Sequence, residues 1–335
     1  MTDGPLTSPA FTGAAAEWDR IAASGAESAR VAFWWQELQP GGGATTNLAV
    51  TDPTVLAAAA RGLQVVPVVE GTPVWARRRA GDPGSPPRHP ADFARLLTTL
   101  VARYGPHGSL WAQHPEVHRL PIRAWQIWNE PNLTRYWSTQ PFARSYVGLL
   151  RAAHRALKAA DPGSRTILAG LPNKSWLALR AIYRAGGRGT FDAVALHPYT
   201  GKPGNVVKLV ELARREIRRA HDHRLPVWIT ELSWPAAKGK VKDVPGFDTT
   251  NAGQARRLRS ALALLAAARR RLRIGRVFWY TWLSVEGGPN AFDYSGLRRL
   301  RHGRLVTAPA LAAYRRAALR LEGCAKRPGD ALRCR

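Results

Sequence analysis

Short apolar runs alternate along the chain with longer stretches in which apolar positions recur every three to four residues. The first kind of pattern fits buried strands, and the second fits amphipathic helices. Strand-like runs fall at 29–34, 63–69, 124–128, 166–169, 193–196, 227–230 and 276–280. Helix-like stretches fall at 14–24, 91–104, 142–160, 176–185, 206–221, 251–271 and 308–321. Regular strand–helix alternation predicts a parallel sheet with helices packed on it. At this length it predicts an α/β fold of the (β/α)8, or TIM-barrel, type. Only seven strands are readable. The absent one belongs before the helix at 14, where residues 1–13 are rich in Gly, Pro, Thr and Ser. Two readings stay open: a degenerate first strand, or a strand lying upstream of this chain. The expected organisation is a flexible segment 1–13, a catalytic barrel 14–322 and a tail 323–335.

Composition adjusts this picture in a few places. The chain has 335 residues, of which 45% are hydrophobic, enough for one large core. Its formal net charge is +27. Such a charge raises the question of nucleic acid. The basic residues, however, are spread over every helical stretch and form no long stripe. No nucleic-acid partner is expected; two readings of the charge stay open, a solvated arginine-rich surface and a basic rim that attracts an acidic polysaccharide. No apolar run approaches the ~18 residues of a membrane helix, so no membrane association is expected. The N-terminus lacks the basic and apolar regions of a signal peptide. Cys324 and Cys334 both lie in the tail. A small disulfide loop between them would fit an oxidising, extracellular setting; two reduced thiols are the alternative. A phosphate-binding glycine loop, a His-Glu-x-x-His helix and a Gly-x-Ser-x-Gly elbow are all absent from the sequence. His107, His114 and His118 match no zinc spacing. No metal or cofactor is expected, and the protein is expected to be a monomer.

Two strand ends carry the chemistry. The run Ala124-Trp125-Gln126-Ile127-Trp128-Asn129-Glu130-Pro131-Asn132 leads a strand straight into Glu130, where Asn and Pro stop it. The run Val227-Trp228-Ile229-Thr230-Glu231-Leu232-Ser233-Trp234 does the same for Glu231. A single Glu ending a strand is commonly a solvated turn residue. Two of them three βα units apart would converge across the mouth of a barrel. Glycoside hydrolysis uses such a pair: one carboxylic acid protonates the leaving oxygen, and the other carboxylate attacks the anomeric carbon. Their surroundings must keep one protonated and the other ionised.

These runs resemble clan A glycoside hydrolases. With Tyr136-Trp137 following, the Trp128-Asn129-Glu130-Pro131-Asn132-Leu133 run is most similar to glycoside hydrolase family 39, which includes β-xylosidases, α-L-iduronidases and exopolysaccharide endoglycosidases. The resemblance covers 29–282. It implies a retaining enzyme with Glu130 as acid/base and Glu231 as nucleophile. It also implies that Asn129 binds the sugar 2-OH, Arg30 orients the nucleophile, Tyr199 hydrogen-bonds it, and His197 lines the subsite. Trp282, after the last strand, matches an aromatic platform under the sugar. Trp35, Trp75 and Trp234 are further candidate platforms, because aromatic faces suit the apolar side of a pyranose. Glu70 ends the 63–69 strand and is placed to touch substrate hydroxyls. A transglycosylase on the same scaffold and a non-catalytic carbohydrate-binding barrel are the rival readings.

Overall fold

The computed structural model describes residues 4–8, 11–242 and 246–321. After a short 3-10 turn, the first half runs α1 (Ala14–Ala23), β1 (Ser28–Trp34), α2 (Trp35–Leu38), α3 (Asp52–Ala59) and β2 (Gln64–Glu70). It continues through α4 (Pro90–Tyr104), α5 (Ser109–Gln113), β3 (Ala124–Ile127), α6 (Ala143–Ala160) and β4 (Arg165–Ile167). The second half runs β5 (Leu171–Pro172), α7 (Ser175–Arg184), β6 (Val194–His197), α8 (Pro203–Arg219), β7 (Val227–Ile229), α9 (Asn251–Leu272) and β8 (Ile274–Val277). Three short strands follow, β9 (Leu283–Val285), β10 (Arg298–Arg301) and β11 (Arg304–Thr307), and then α10 (Pro309–Leu321).

β1 to β4 pair in parallel in chain order, as do β5 to β8. Parallel bridges Asn129–Gly170 and Ile167–Ala193 join the two sets. β4 and β5 thus belong to one strand position. Each expected strand is present, and the long helices start and end within a few residues of the expected bounds. The fold is α/β with parallel strands. The pattern did not reveal α3 or the β9–β10–β11 sheet. The strands of that sheet are three or four residues long, and Arg298 and Arg299 lie buried in it. Alternation tells nothing there, because the buried face is polar.

Register sorts the side chains. In parallel strands, paired residues point to the same face. Arg30 pairs with Val66, Val68 with Gln126, Ala195 with Trp228, and Trp228 with Arg276. Val66, Ile167, Ala193, Ala195, Trp228 and Phe278 form one apolar cluster on this inner face. The larger core lies on the other face, against the helices. The inner face therefore carries Arg30 and Gln126 directly among apolar neighbours.

Among the described residues no strand precedes α1, and β1 and β8 do not pair. A groove of about 340 Å³ separates them, lined by Ala29, Ile274, Phe278, Trp282, Tyr314 and Leu321 among others. Arg276 spans its floor and hydrogen-bonds Ser28 and Gln64. Cys324 and Cys334 lie outside the described residues.

Candidate active site

Both glutamates sit just beyond the C-terminal ends of their strands. Glu130 follows β3 by three residues and Glu231 follows β7 by two. The end of β3 is distorted. Trp128 and Glu130 both have left-handed backbones, φ 71° and 44°, which non-glycine residues rarely adopt. Surrounding bonds hold that conformation. Glu130 N–H donates to Gly170 O at 3.1 Å, and Glu130 O accepts from Leu133 N–H at 2.9 Å. The indole N–H of Trp128 donates to Tyr136 O at 2.9 Å. Backbone outliers of this kind cluster at functional sites.

Glu231 is 6% exposed and each of its oxygens has a donor. Arg30, entirely buried, donates through Nη1 to Oε1 at 2.8 Å. Tyr199 donates to Oε2 at 2.7 Å. Arg30 also donates to Asn129 Oδ1 at 2.9 Å and to Gln126 Oε1 at 2.7 Å. One guanidinium fork thus ties the two strand ends together, as its planar geometry allows. Burial pushes the Glu231 carboxyl up, but the electrostatic influence of the adjacent His197 ring and the Arg30 guanidinium, with the bonds from Tyr199 and Arg30, outweighs it. The net effect holds the group below its usual value. Tyr199 moves the opposite way, well above its usual value, through burial and then the adjacent Glu231 charge.

Glu130 is also 6% exposed. His197 Nδ1 lies 2.7 Å from its Oε1 and 3.5 Å from Glu231 Oε2. Tyr136 stands close by. Burial, and then the charge of Glu130, pushes its hydroxyl up to about 12, with Glu70 adding a smaller push. The structure therefore gathers Arg30, Asn129, Glu130, His197, Tyr199 and Glu231 into one cluster, with Glu70 and Tyr136 beside it.

The donor atoms of Glu130, His197 and Glu231 lie within 4.8 Å of one another, a geometry that could hold a cation. The arginine at 2.8 Å already supplies the positive charge, so the set fits a hydrogen-bonded dyad better than a metal centre.

Trp282, Trp35 and Trp234 are not the sugar platforms expected of them. Trp282 does not reach the cluster. Its indole N–H donates to Glu17 Oε2 at 3.0 Å, and its ring lines the groove between β1 and β8. Trp35 and Trp234 are entirely buried. Trp35 packs edge-on against Trp75 and Phe93, and Trp234 donates to Thr200 O. Neither offers a face to a ligand. Trp75 is half-buried, with its N–H on Gln39 O at 2.7 Å. An aromatic residue that does lie near the Tyr199 end of the cluster is Tyr280. It packs 5.5 Å from Phe292, which packs 5.1 Å from Tyr199. Alternation in the sequence does not single it out: Tyr280 lies three residues beyond β8, and the same parity would place Trp282 beside it.

No protein-family model matches the chain. A β-xylosidase from Geobacillus stearothermophilus is 28% identical over a match covering 33% of this chain and 26% of that protein. A family 39 glycoside hydrolase from the gut symbiont Bacteroides cellulosilyticus WH2 superposes with a TM-score of 0.67 at 18% identity, covering 91% of this chain and 60% of the other. A monomeric β-xylosidase from Caulobacter crescentus CB15 superposes at 0.65 and 17% identity, covering 94% and 66%. In each case the match spans less than two thirds of the other protein. The resemblance carried by the strand-end motifs holds, in sequence with the β-xylosidase and in fold with the solved structures.

Proposed function

We propose that this chain is a retaining glycoside hydrolase acting at the mouth of a (β/α)8 barrel. One observation carries the reading: two buried glutamates, at the ends of two parallel strands, share a single imidazole nitrogen at 2.7 and 3.5 Å. Carboxyl groups about 5–5.5 Å apart suit a covalent glycosyl-enzyme, whereas inverting enzymes need roughly 6.5–9.5 Å to admit a water. The close approach of the two glutamates favours retention.

Roles follow from the partners. Glu231, held ionised by Arg30 and Tyr199, attacks the anomeric carbon. The bond to the leaving oxygen breaks as Glu130 protonates that oxygen. Glu130 then takes a proton from water, and the hydroxide equivalent displaces Glu231 from the sugar. Asn129, anchored through Oδ1 to Arg30, keeps its amide N–H groups for the sugar 2-OH. Tyr280 supplies the aromatic face. The leaving group departs on the Glu130 side.

The substrate is proposed to be a β-linked oligo- or polysaccharide. The +27 charge supports an acidic polymer. Its turnover should then fall as salt rises, and salt-independent turnover would point to neutral glycans. The decisive experiment uses azide with aryl β-glycosides. Glu231→Ala should yield α-glycosyl azide, and Glu130→Ala β-glycosyl azide. A folded wild type that binds glycans and cleaves none would favour the carbohydrate-binding reading instead. Formation of transfer products in excess of hydrolysis would favour a transglycosylase.

A further inference from the structure

His197 ends β6 and is entirely buried. Its two ring nitrogens meet different surroundings. Nδ1 faces the dyad. Nε2 is buried and has no hydrogen-bond partner among the described residues. Its neighbour is the backbone of Gly170. A Cβ built on Gly170 would lie 1.9 Å from Nε2 and 2.4 Å from Cε1. The ring thus occupies the space that any side chain at position 170 would need. Gly170 O also accepts the backbone N–H of Glu130. Imidazole and acid are positioned against the same residue.

We propose that His197 is a positioning residue that fixes the proton of Glu130 on Oε2, the oxygen available to the leaving group. The proposal rests on the retaining reading above. A neutral imidazole has one N–H and one lone pair. With the N–H on Nε2, a donor would be buried against carbon without an acceptor, the rarest kind of orphaned polar group. With the N–H on Nδ1, it donates to Glu130 Oε1, and only a lone pair faces Gly170. The second tautomer is the one the packing selects. Oε1 is then a poor seat for the acid's proton, because two hydrogens would meet head to head. The proton goes to Oε2, which accepts no hydrogen bond from the described residues. After transfer, the same bond holds the ionised Glu130 with Oε2 turned toward the incoming water. The charged groups near the ring are Glu130, Glu231 and, through Glu231, Arg30.

The test is a series of aryl and alkyl β-glycosides of graded leaving-group basicity, run on wild type, His197→Ala and His197→Asn. Misplacing the acid's proton matters only where the leaving oxygen needs protonation. His197→Ala should therefore lose about 100-fold on alkyl or saccharide leaving groups, and only a few-fold on dinitrophenyl glycosides. Added imidazole, or the amide donor of His197→Asn, should restore part of the loss. A uniform loss across the series in a folded variant would overturn the proposal and leave the glycosidase reading standing. A wild type that cleaves no glycoside would remove both. Nitrogen-15 spectra of the wild type give a check that needs no variant to fold. They should show the proton on Nδ1; finding it on Nε2 would overturn the assignment.

Discussion

Glu17 on α1 and Glu231 beyond β7 are both buried carboxylates gripped by a buried arginine, yet they are finished differently. Glu17 is wholly enclosed. Arg298 donates to both its oxygens at 3.0 to 3.2 Å, and Trp282 adds a bond to Oε2. Glu231 receives one donor on each oxygen, and Glu130 receives one on Oε1. A carboxylate offers about four lone-pair sites. Glu17 uses most of them to tie α1 to β10. The dyad leaves several unfilled, and each of its glutamates keeps 6% of its surface open to the cleft. A carboxylate with its lone pairs filled is an anchor, and one left part-filled at a cleft can react.

Substituting each carboxylate in turn separates the two kinds. Glu231→Ala should cut kcat/KM on the order of 10⁵-fold or more, as expected when a nucleophile is lost. Retention of a tenth of the activity would end the assignment. Glu130→Ala should cost about 10²- to 10⁴-fold on substrates with poor leaving groups, with kcat on dinitrophenyl glycosides limited by the second step. Glu17→Ala should act in the other currency. Leaving Arg298 buried and unpaired should cost about 3–5 kcal/mol of stability, read by denaturant unfolding, while kcat/KM of the folded protein stays within about 2-fold. A large loss of turnover there would merge the two clusters.

The aromatic assignment separates the regions again. Tyr280→Ala should raise KM by roughly 10-fold, in line with about 0.5–1.5 kcal/mol for an aromatic contact. Trp282→Phe should leave KM alone and cost about 1–3 kcal/mol of stability, since Glu17 loses a donor. The smallest effect lies in pH. The folded-state pKa of Glu231 is below its ordinary value of 4.5. Its ionised form therefore contributes stability that is fully present above that value and is lost as pH falls through the lower, folded one. Acid unfolding of Glu231→Gln should show a weaker dependence in that window. An unchanged acid limb would mean that Arg30 does not stabilise the ionised carboxylate.

Much of this was legible before any coordinates. The seven strands, the long helices and both glutamates follow from apolar periodicity and from polar residues that stop buried strands. Arg30, Asn129, His197 and Tyr199 follow from motif resemblance at strand ends. The aromatic positions were not legible in the same way. Trp282 and Tyr280 are two residues apart, and both follow an apolar strand. Only the turn after β8 carries Trp282 toward Glu17 and leaves Tyr280 against Phe292. Trp35 and Trp234 stand beside the motifs in sequence, but their rings are spent in packing.

The order of elements, the parallel sheet and the carboxylates that end strands can be read along the chain, because periodicity and strand-stopping residues are local properties. Which donors reach which carboxylate oxygen depends on the packed fold. Arg30 and Glu231, or Glu17 and Arg298, meet across most of the chain's length, and no local pattern encodes the direction in which a side chain at a strand end or turn finally points. The same is true of the space Gly170 leaves for His197, which exists only once two neighbouring strands have been brought into register.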